Sequence, residues 1–293
     1  MKRAFSIIEL LVVMAVIALL VVIAIPAINA MQKSFDSTGS ESMISTALAT
    51  ARTLAIKNNH YTGVRFQKAW YKPSSDPAVP PYDNLSKADQ YMIFITYNSD
   101  KTGLDCGFIA MDGYKPIKLP ENICVIDKIV RNYTVSVTPR TCGNPIVETG
   151  LSPSDLDDVT ANLDPATEPY LEHDNIHIRD TSTFSIVFSP SGKLVTLEVR
   201  CRNNDKQSRP ALNAASGSDD KVFNSYYDIA TGNGQFLQDD YDDFGVGVEN
   251  SRTNFVIYDR GKFEKMTTST QKMDYLTGLK AMNINPYTGE IIK

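Results

Sequence analysis

Few side chains in this 293-residue chain have the type and spacing for chemistry. The first is Glu9, a carboxylate at the head of an apolar run. From Leu10 to Ile28 there is no charged or strongly polar side chain. A carboxylate in apolar surroundings costs about 2.5–3.5 kcal/mol at mid-helix in a bilayer and less near an interface. It needs a polar partner or a proton. Cleavage between Ala4 and Phe5 would create a partner, an α-amino group of pKa about 8 that is cationic near neutral pH. Within one helix that amine lies a turn away from Glu9 and is poorly reached. Between neighbouring helices, Glu9 of one copy meets the Phe5 amine of the next. Such a pair sets axial register, as buried polar groups do in helical bundles. Its chemistry is assembly rather than catalysis.

The other candidates are weaker. Asp239, Asp240, Asp242 and Asp243 could offer oxygen ligands to Ca²⁺, but they lack the DxDxDG spacing of a calcium loop and read as a solvated acidic loop. His173 and His177 stand four apart, the spacing for a metal on a helix. NIHIRD, however, reads as a strand, where that spacing is less useful. Gly192-Lys193 in SPSGKL lacks the GxxxxGK[ST] pattern of a phosphate loop. With three histidines and no supporting local motif, no Ser/His/Asp set emerges. Lys57, Arg65 and Lys68 could touch DNA but read as solvated surface. Cys106, Cys124, Cys142 and Cys201 allow one or two disulfides and three complete pairings, and the absence of CxxC argues against a zinc knuckle. A net charge of −5 gives no global polycation, so nucleic acid is not an expected partner. No catalytic residue, metal or cofactor is expected, and the chain does not read as an enzyme.

The element that must position Glu9 is Phe5–Ile28, about enough apolar residues to cross a bilayer as one helix. Pro26 cannot donate to the Val22 carbonyl, so a kink is expected there. A secretory signal peptide ending at Ala30 is disfavoured by the length of the run and by Glu9 inside it. A plain signal anchor leaves Glu9 without a partner. Beyond Pro26 the chain turns amphipathic over 29–58. Ile44, Leu48, Ala51 and Ala55 fall on one helical stripe, widened by Met43, Ala47 and Leu54. SFDSTGS, with Gly39 inside it, is a weak place, and Asn58-Asn59 ends the helix.

Strands follow. YTGVRFQ (61–67), YMIFITY (91–97), 106–111, 117–119, 123–126, YTVSVT (133–138) and FSIVF (184–188) carry β-branched and aromatic residues. SPSG links FSIVF to a strand over 194–200 as a hairpin turn. Pro- and Asn-rich stretches near 68–90 and 139–175, and RNNDKQSRPALNAASGSDDK near 202–222, read as loops or linkers. FVIY (255–258) and 262–266 suggest a hairpin around Arg260-Gly261, and NPYTGEII closes the chain as a turn plus strand.

MKRA|FSIIELLVVMAVIALLVVIAIPAI resembles the type IV prepilin signal almost residue by residue. It has a short basic leader, a small residue, Phe, a Glu five residues into the mature chain, and an apolar helix with a Pro. Ala4 stands where that family usually has Gly. The resemblance implies cleavage between Ala4 and Phe5 by a prepilin peptidase and N-methylation of Phe5. It also implies assembly with other pilin or pseudopilin subunits through Phe5 and Glu9. ATARTLAIKNNHYTGVRF, IKLPENICV and FSIVFSPSGKLV are together similar to the H-type (GspH/FimT-like) minor pseudopilins and pilins, with longer insertions. The expected fold is therefore pilin-like α+β, a long N-terminal transmembrane helix packed against an antiparallel β-rich globular domain. The expected organisation is a leader over 1–4, an assembly helix over 5–28, its amphipathic continuation over 29–58, and an exported domain over 59–293. The expected role is a minor pseudopilin or minor pilin of a type II secretion or type IV pilus system. It would sit in the inner membrane as a single-pass protein with its C-terminal domain in the periplasm or at the cell surface. A secretion substrate or outer-membrane channel would be a further partner. The competing reading is a membrane-tethered binding or enzymatic domain that never polymerises.

Overall fold

The computed structural model describes residues 14, 39–69, 88–127, 182–207, 215–239 and 249–292. The chain divides into two compact units, Met1–Ser42 and Met43–Lys293. Everything below belongs to the second unit.

The organising strand is β1 (Thr62–Lys68), which is buried along its whole length. It pairs antiparallel with β2 (Gln90–Tyr97) on one side and β6 (Phe184–Phe188) on the other. The registers align Val64 with Phe94 and Ile186, and Phe66 with Met92 and Phe184. One face of the sheet is thus a continuous apolar surface, because side chains on a strand alternate between faces. Outward from β2 lie β3 (Gly107–Ala110), β8 (Glu198–Cys201) and β11 (Glu249–Asn250). Outward from β6 lies β7 (Leu194–Val195), and β4 (Ile117–Lys118) joins β2 off the main path. Gly63 sits in the middle strand because a Cβ there would run into the Ile186 carbonyl and approach Val187 Cγ2 to 2.9 Å.

Helical residues 43–58 (α1) cover that face. Ile44, Leu48, Ala51 and Ala55 are completely buried and share one core with Val64, Phe66, Met92, Phe94, Phe184, Ile186 and Phe188. Each large apolar side chain contributes about 1.5–3 kcal/mol by leaving water. The end of α1 is held by the β6–β7 turn, where Arg52 Nε donates to the Gly192 carbonyl at 2.9 Å. Gly192 has φ 76°, and a Cβ there would come within 2.6 Å of Ile56 Cδ1. Backbone conformation and close approach both require glycine at this turn.

The opposite face is covered as well. Ile93, Ile95, Phe108, Val187 and Val199 pack with Cys201, Phe223 and Phe236. Phe223 and Phe236 come from a two-stranded parallel pair, β9 (Phe223–Asn224) and β10 (Phe236–Leu237). Between these strands lies the short helix α3 (Tyr226–Ala230); the earlier α2 (Ser99–Thr102) leads into β3. The segment expected to be a linker near 202–222 is instead packed structure where it is described. Asn203 is fully buried and bonds Gln207, and the Asp220 carboxylate accepts the amides of Asn204, Val222 and Phe223. Its polarity serves internal hydrogen bonding rather than solvation.

A second antiparallel sheet runs β14 (Ile291–Ile292), β13 (Met282–Ile284), β12 (Asn254–Asp259) and β5 (Ile123–Ile126). Val125, Phe255 and Ile284 reach the α1 core. Cys124, Ile126, Val256 and Tyr258 face the other way, onto α4 (Arg260–Phe263) and α5 (Ser269–Thr277). The hairpin expected around Arg260-Gly261 is therefore not formed. Asp259 caps the chain into α4 by accepting the Lys262 amide at 2.9 Å, and β12 pairs with β5 and β13 instead. The strand expected over 194–200 is likewise split in two, β7 and β8. The expected strands near 61–67, 91–97, 106–111, 117–119, 123–126 and 184–188 form within a residue or two of their predicted ends.

Two expectations are overturned. The fold is not a long transmembrane helix on a β domain: the described residues are mostly β, and among them no helix is long and apolar enough to cross a membrane. Among the described residues the longest helix is α1, and it is amphipathic, as expected of that stretch, rather than apolar all round. Its apolar stripe is spent on the sheet, while Thr46, Thr50, Thr53 and Lys57 occupy other faces and would be costly in lipid. The single-pass inner-membrane placement falls on the same finding. Phe5–Ile28, which carried both expectations, lies outside the described residues apart from Met14.

Candidate functional site

Three buried polar clusters stand out. The first is built on β1. Arg65 occupies the face opposite Phe66 and is 1 % exposed. Its Nη2 donates to Asp239 Oδ1 at 2.6 Å, and its Nε donates to Gln67 Oε1 at 2.7 Å. Asp239 Oδ2 accepts the Cys201 amide at 2.8 Å, and Gln67 Nε2 donates to the Leu237 carbonyl. The cluster clips the segment after β10 onto the middle of the sheet.

The second cluster lies where the two sheets meet. Gln90 uses its whole side-chain amide for this junction: Nε2 donates to the carbonyls of Val125 and Ser182, and Oε1 accepts the Val125 amide at 2.6 Å. Lys68 pairs with Gln90 in the β1–β2 register, so both side chains leave the same face of the first sheet. Cys124 precedes Val125 on β5 and is paired across the strands with Tyr258. Lys68, Cys124 and Tyr258 are all buried. Burial pushes the Lys68 amine below its ordinary pKa, partly offset by the Cys124 sulfur nearby. Burial, with the same sulfur, pushes the Tyr258 phenol well above its own. At the rim, Lys118 Nζ meets Asp89 Oδ2 at 2.7 Å and Arg260 Nε meets Glu264 Oε1 at 2.8 Å.

The third cluster closes α3. Ser225 and Asp228 stand three apart, the spacing of an N-terminal cap. Asp228 Oδ2 accepts the hydroxyls of Ser225 and Ser216 and the Ser216 amide at 2.8 Å. Burial works to raise the Asp228 pKa, but the Ser216 and Ser225 hydrogen bonds outweigh it and hold the carboxyl below its ordinary value. A carboxyl with a depressed folded pKa contributes stability that is present above its unfolded pKa, about 3.9, and is lost as the pH falls through the folded value. Asp228→Asn is therefore expected to cost about 1–3 kcal/mol near neutral pH. It should also flatten the fall in stability below about pH 4. Urea titrations from neutral to acid pH measure both effects, and equal slopes for the two proteins would refute the assignment.

These clusters reassign several residues singled out in the sequence. Arg65 and Lys68 are interior rather than surface groups, which removes them from any DNA contact, whereas Lys57 is exposed. Asp239 is the counterion of Arg65. Its expected calcium companions Asp240, Asp242 and Asp243 lie outside the described residues, and among the described residues no group of three or more His, Cys, Asp or Glu could hold a metal. Cys106 is disulfide-bonded, while Cys124 and Cys201 are buried thiols. Cys142, His173 and His177 lie outside the described residues, as do Ala4, Phe5, Glu9 and Pro26. The sequence reading missed Gln90, Asp228 and Tyr258. Only Asp228 carried a local signal, the Ser225-x-x-Asp228 cap. No protein-family model, curated protein or solved structure matches the chain.

Proposed function

We propose that this chain is a structural subunit, a minor pseudopilin or minor pilin of a type II secretion or type IV pilus system. The observation that carries this reading is MKRA|FSIIE, where a small residue, Phe and a Glu five residues on open an apolar run. Assembly gives Glu9 a function, since the amine of a neighbouring Phe5 neutralises it and fixes the stagger between subunits. The β-rich unit supports a structural role through its interior: the buried polar groups of its three clusters hold one another and the backbone in place.

The test is the intact mass and N-terminal sequence of the full chain after co-expression with a prepilin peptidase. The expected product begins at N-methylated Phe5. Glu9→Leu is expected to be cut in the same way and to enter filaments far less than the wild type. A chain that still begins at Met1, or a Glu9→Leu variant that assembles normally, would overturn the proposal.

A further inference from the structure

We propose that Asn233-Gly234 is a self-modification site, at which Lys221 assists closure of a succinimide that water opens to aspartate and isoaspartate. The two residues lie between α3 and β10, outside any helix or strand. They form the one Asn-Gly pair in the chain. With no Cβ beside the attacking nitrogen, glycine gives that nitrogen the freest approach to the preceding side chain. The hydrogen bonds single out this nitrogen. The Asn233 amide donates to the Asp228 carbonyl at 2.6 Å, and the Gln235 and Phe236 amides both donate to the Val222 carbonyl. The Gly234 amide between them has no acceptor among the described residues. Its proton is open to base, and no backbone bond has to break before it reacts. On the other side of the reacting pair, Lys221 Nζ donates to Asn233 Oδ1 at 2.9 Å. Negative charge develops on that oxygen when a nitrogen adds to Cγ, and a cationic donor placed there stabilises the addition. Lys221 and Gly232 are exposed and Asn233 is half-buried, which admits water to the site.

Atoms and electrons balance with water as the only co-reactant. Base removes the Gly234 amide proton, and the nitrogen pair attacks Asn233 Cγ. An N–C bond forms, and the carbonyl π pair moves onto Oδ1, against the Lys221 ammonium. When that pair returns, the Cγ–Nδ2 bond breaks and Nδ2 leaves as ammonia with the proton that base had taken. Water then adds to one of the two ring carbonyls, and the C–N bond of that carbonyl breaks. Opening at Cγ leaves aspartate at position 233 in an ordinary peptide chain. Opening at the backbone carbonyl leaves the chain linked through Cγ, an isoaspartate. Nothing is oxidised or reduced. The aspartate keeps the contact with Lys221 as an ion pair. The isoaspartate adds a methylene to the backbone beside Gly234, whose φ is 98° and where even a Cβ would come within 2.7 Å of Asn224 Cβ. The second product is thus expected to loosen the link that carries Phe236 onto the sheet.

The experiment incubates the purified, folded full chain at mildly alkaline pH and follows each asparagine with time by peptide mapping and mass spectrometry. An isoaspartyl methyltransferase assay measures the second product. The expected result is that Asn233 converts before Asn98, Asn224 and Asn250, the asparagines that precede serine, and gives both aspartate and isoaspartate. Lys221→Met, a change at an exposed side chain, should slow the conversion about three- to tenfold in the folded chain, the effect of one donor at a partly solvated site. In urea, where the Lys221 contact is lost, the two proteins should convert at one rate. The proposal is overturned if Asn233 keeps its amide, if an Asn-Ser site converts first, or if aspartate forms without isoaspartate. It is equally overturned if Lys221→Met converts as fast as the wild type when folded, or more slowly than the wild type in urea.

Discussion

Asp239→Ala is expected to destabilise the β-rich unit by about 3–5 kcal/mol, the cost of removing one partner of a buried ion pair. Arg65 is, with Arg200, among the largest fully buried side chains of the described residues, and its guanidinium meets Asp239 at 2.6 Å. With the carboxylate gone, Gln67 would still accept from Nε, but the positive charge would stay in the interior. The Cys201 amide would also lose its bond to the Asp239 carboxylate, and a hydrogen bond to a charged group contributes about 1.5–3 kcal/mol. These costs overlap, because one carboxylate serves both groups. The pair itself is not expected to be a large net gain over an apolar replacement. Arg65→Met combined with Asp239→Leu should recover most of the lost stability, since well-packed apolar residues often replace a buried ion pair without loss. Guanidinium titrations of the four proteins measure this cycle. A single-variant loss below about 1 kcal/mol, the range of exposed pairs, would show that water reaches the cluster and that the clip is weak.

That cluster also shows where sequence reading stops. The pattern YTGVRFQ was legible as a strand from its β-branched and aromatic residues, and the sheet uses the alternation of Val64 and Phe66 with polar positions. What the polar positions face was not legible. Alternation normally means one dry face and one wet face, and on that rule Arg65 belonged to solvent. The structure instead buries both faces, because the segment around Phe223 and Phe236 covers the second one. The covering segment announced itself only as a polar linker followed by a stretch that mixes aromatics and acids. Its core consists of two short strands, too short for periodicity to register. The ion pair spans 174 positions, and nothing local in QDDYDDFG ties its first usable carboxylate to an arginine on the first strand. A run of aspartates reads as a cation loop or a solvated loop, and neither reading anticipates an acid turned inward.

The α1 stripe was fully legible. Ile44, Leu48, Ala51 and Ala55 are spaced for one face, and that face is buried without remainder. The turn SPSG was legible for a related reason, since Gly192 is needed for both its φ and its contact with Ile56. Legibility failed at Arg260-Gly261, where a β-like reading lost to a capped helix. The deciding residue was Asp259, whose side chain accepts the Lys262 amide three residues on. Asp before a short polar stretch is a helix-start signal, and the strand pattern in FVIY masked it. The sheet junction was the least legible feature. Gln90 heads a strand in which every later residue is explained by packing, and its role depends on β5 arriving alongside.

Phe66→Ala is expected to cost about 3–5 kcal/mol, the range for truncating a buried aromatic side chain in a core that collapses only partly. Phe66 has no exposed surface, stacks on Phe184 at 4.9 Å between ring centroids and lies 6.0 Å from Phe255. Phe184 belongs to the first sheet and Phe255 to the second, so this ring joins them under α1. The neighbours cannot readily fill the space, because their backbones are fixed by the β1–β6 and β5–β12 ladders. Phe66→Leu keeps most of the volume and is expected to cost less than about 1.5 kcal/mol. Tyr287→Ala, at a side chain that is 67 % exposed, should stay within about 0.5 kcal/mol. Thermal and denaturant unfolding of the three variants ranks them directly. The ring's position between sheets adds a second readout. If the sheets fold as one cooperative unit through this contact, the wild type unfolds in a single transition by tyrosine fluorescence and far-UV circular dichroism alike. Phe66→Ala would then lower that transition or separate it into two. A loss no larger than that of Phe66→Leu would mean that the two sheets are held together elsewhere, the Gln90 junction and the Arg252 amide's bond to the Ser185 carbonyl among the links.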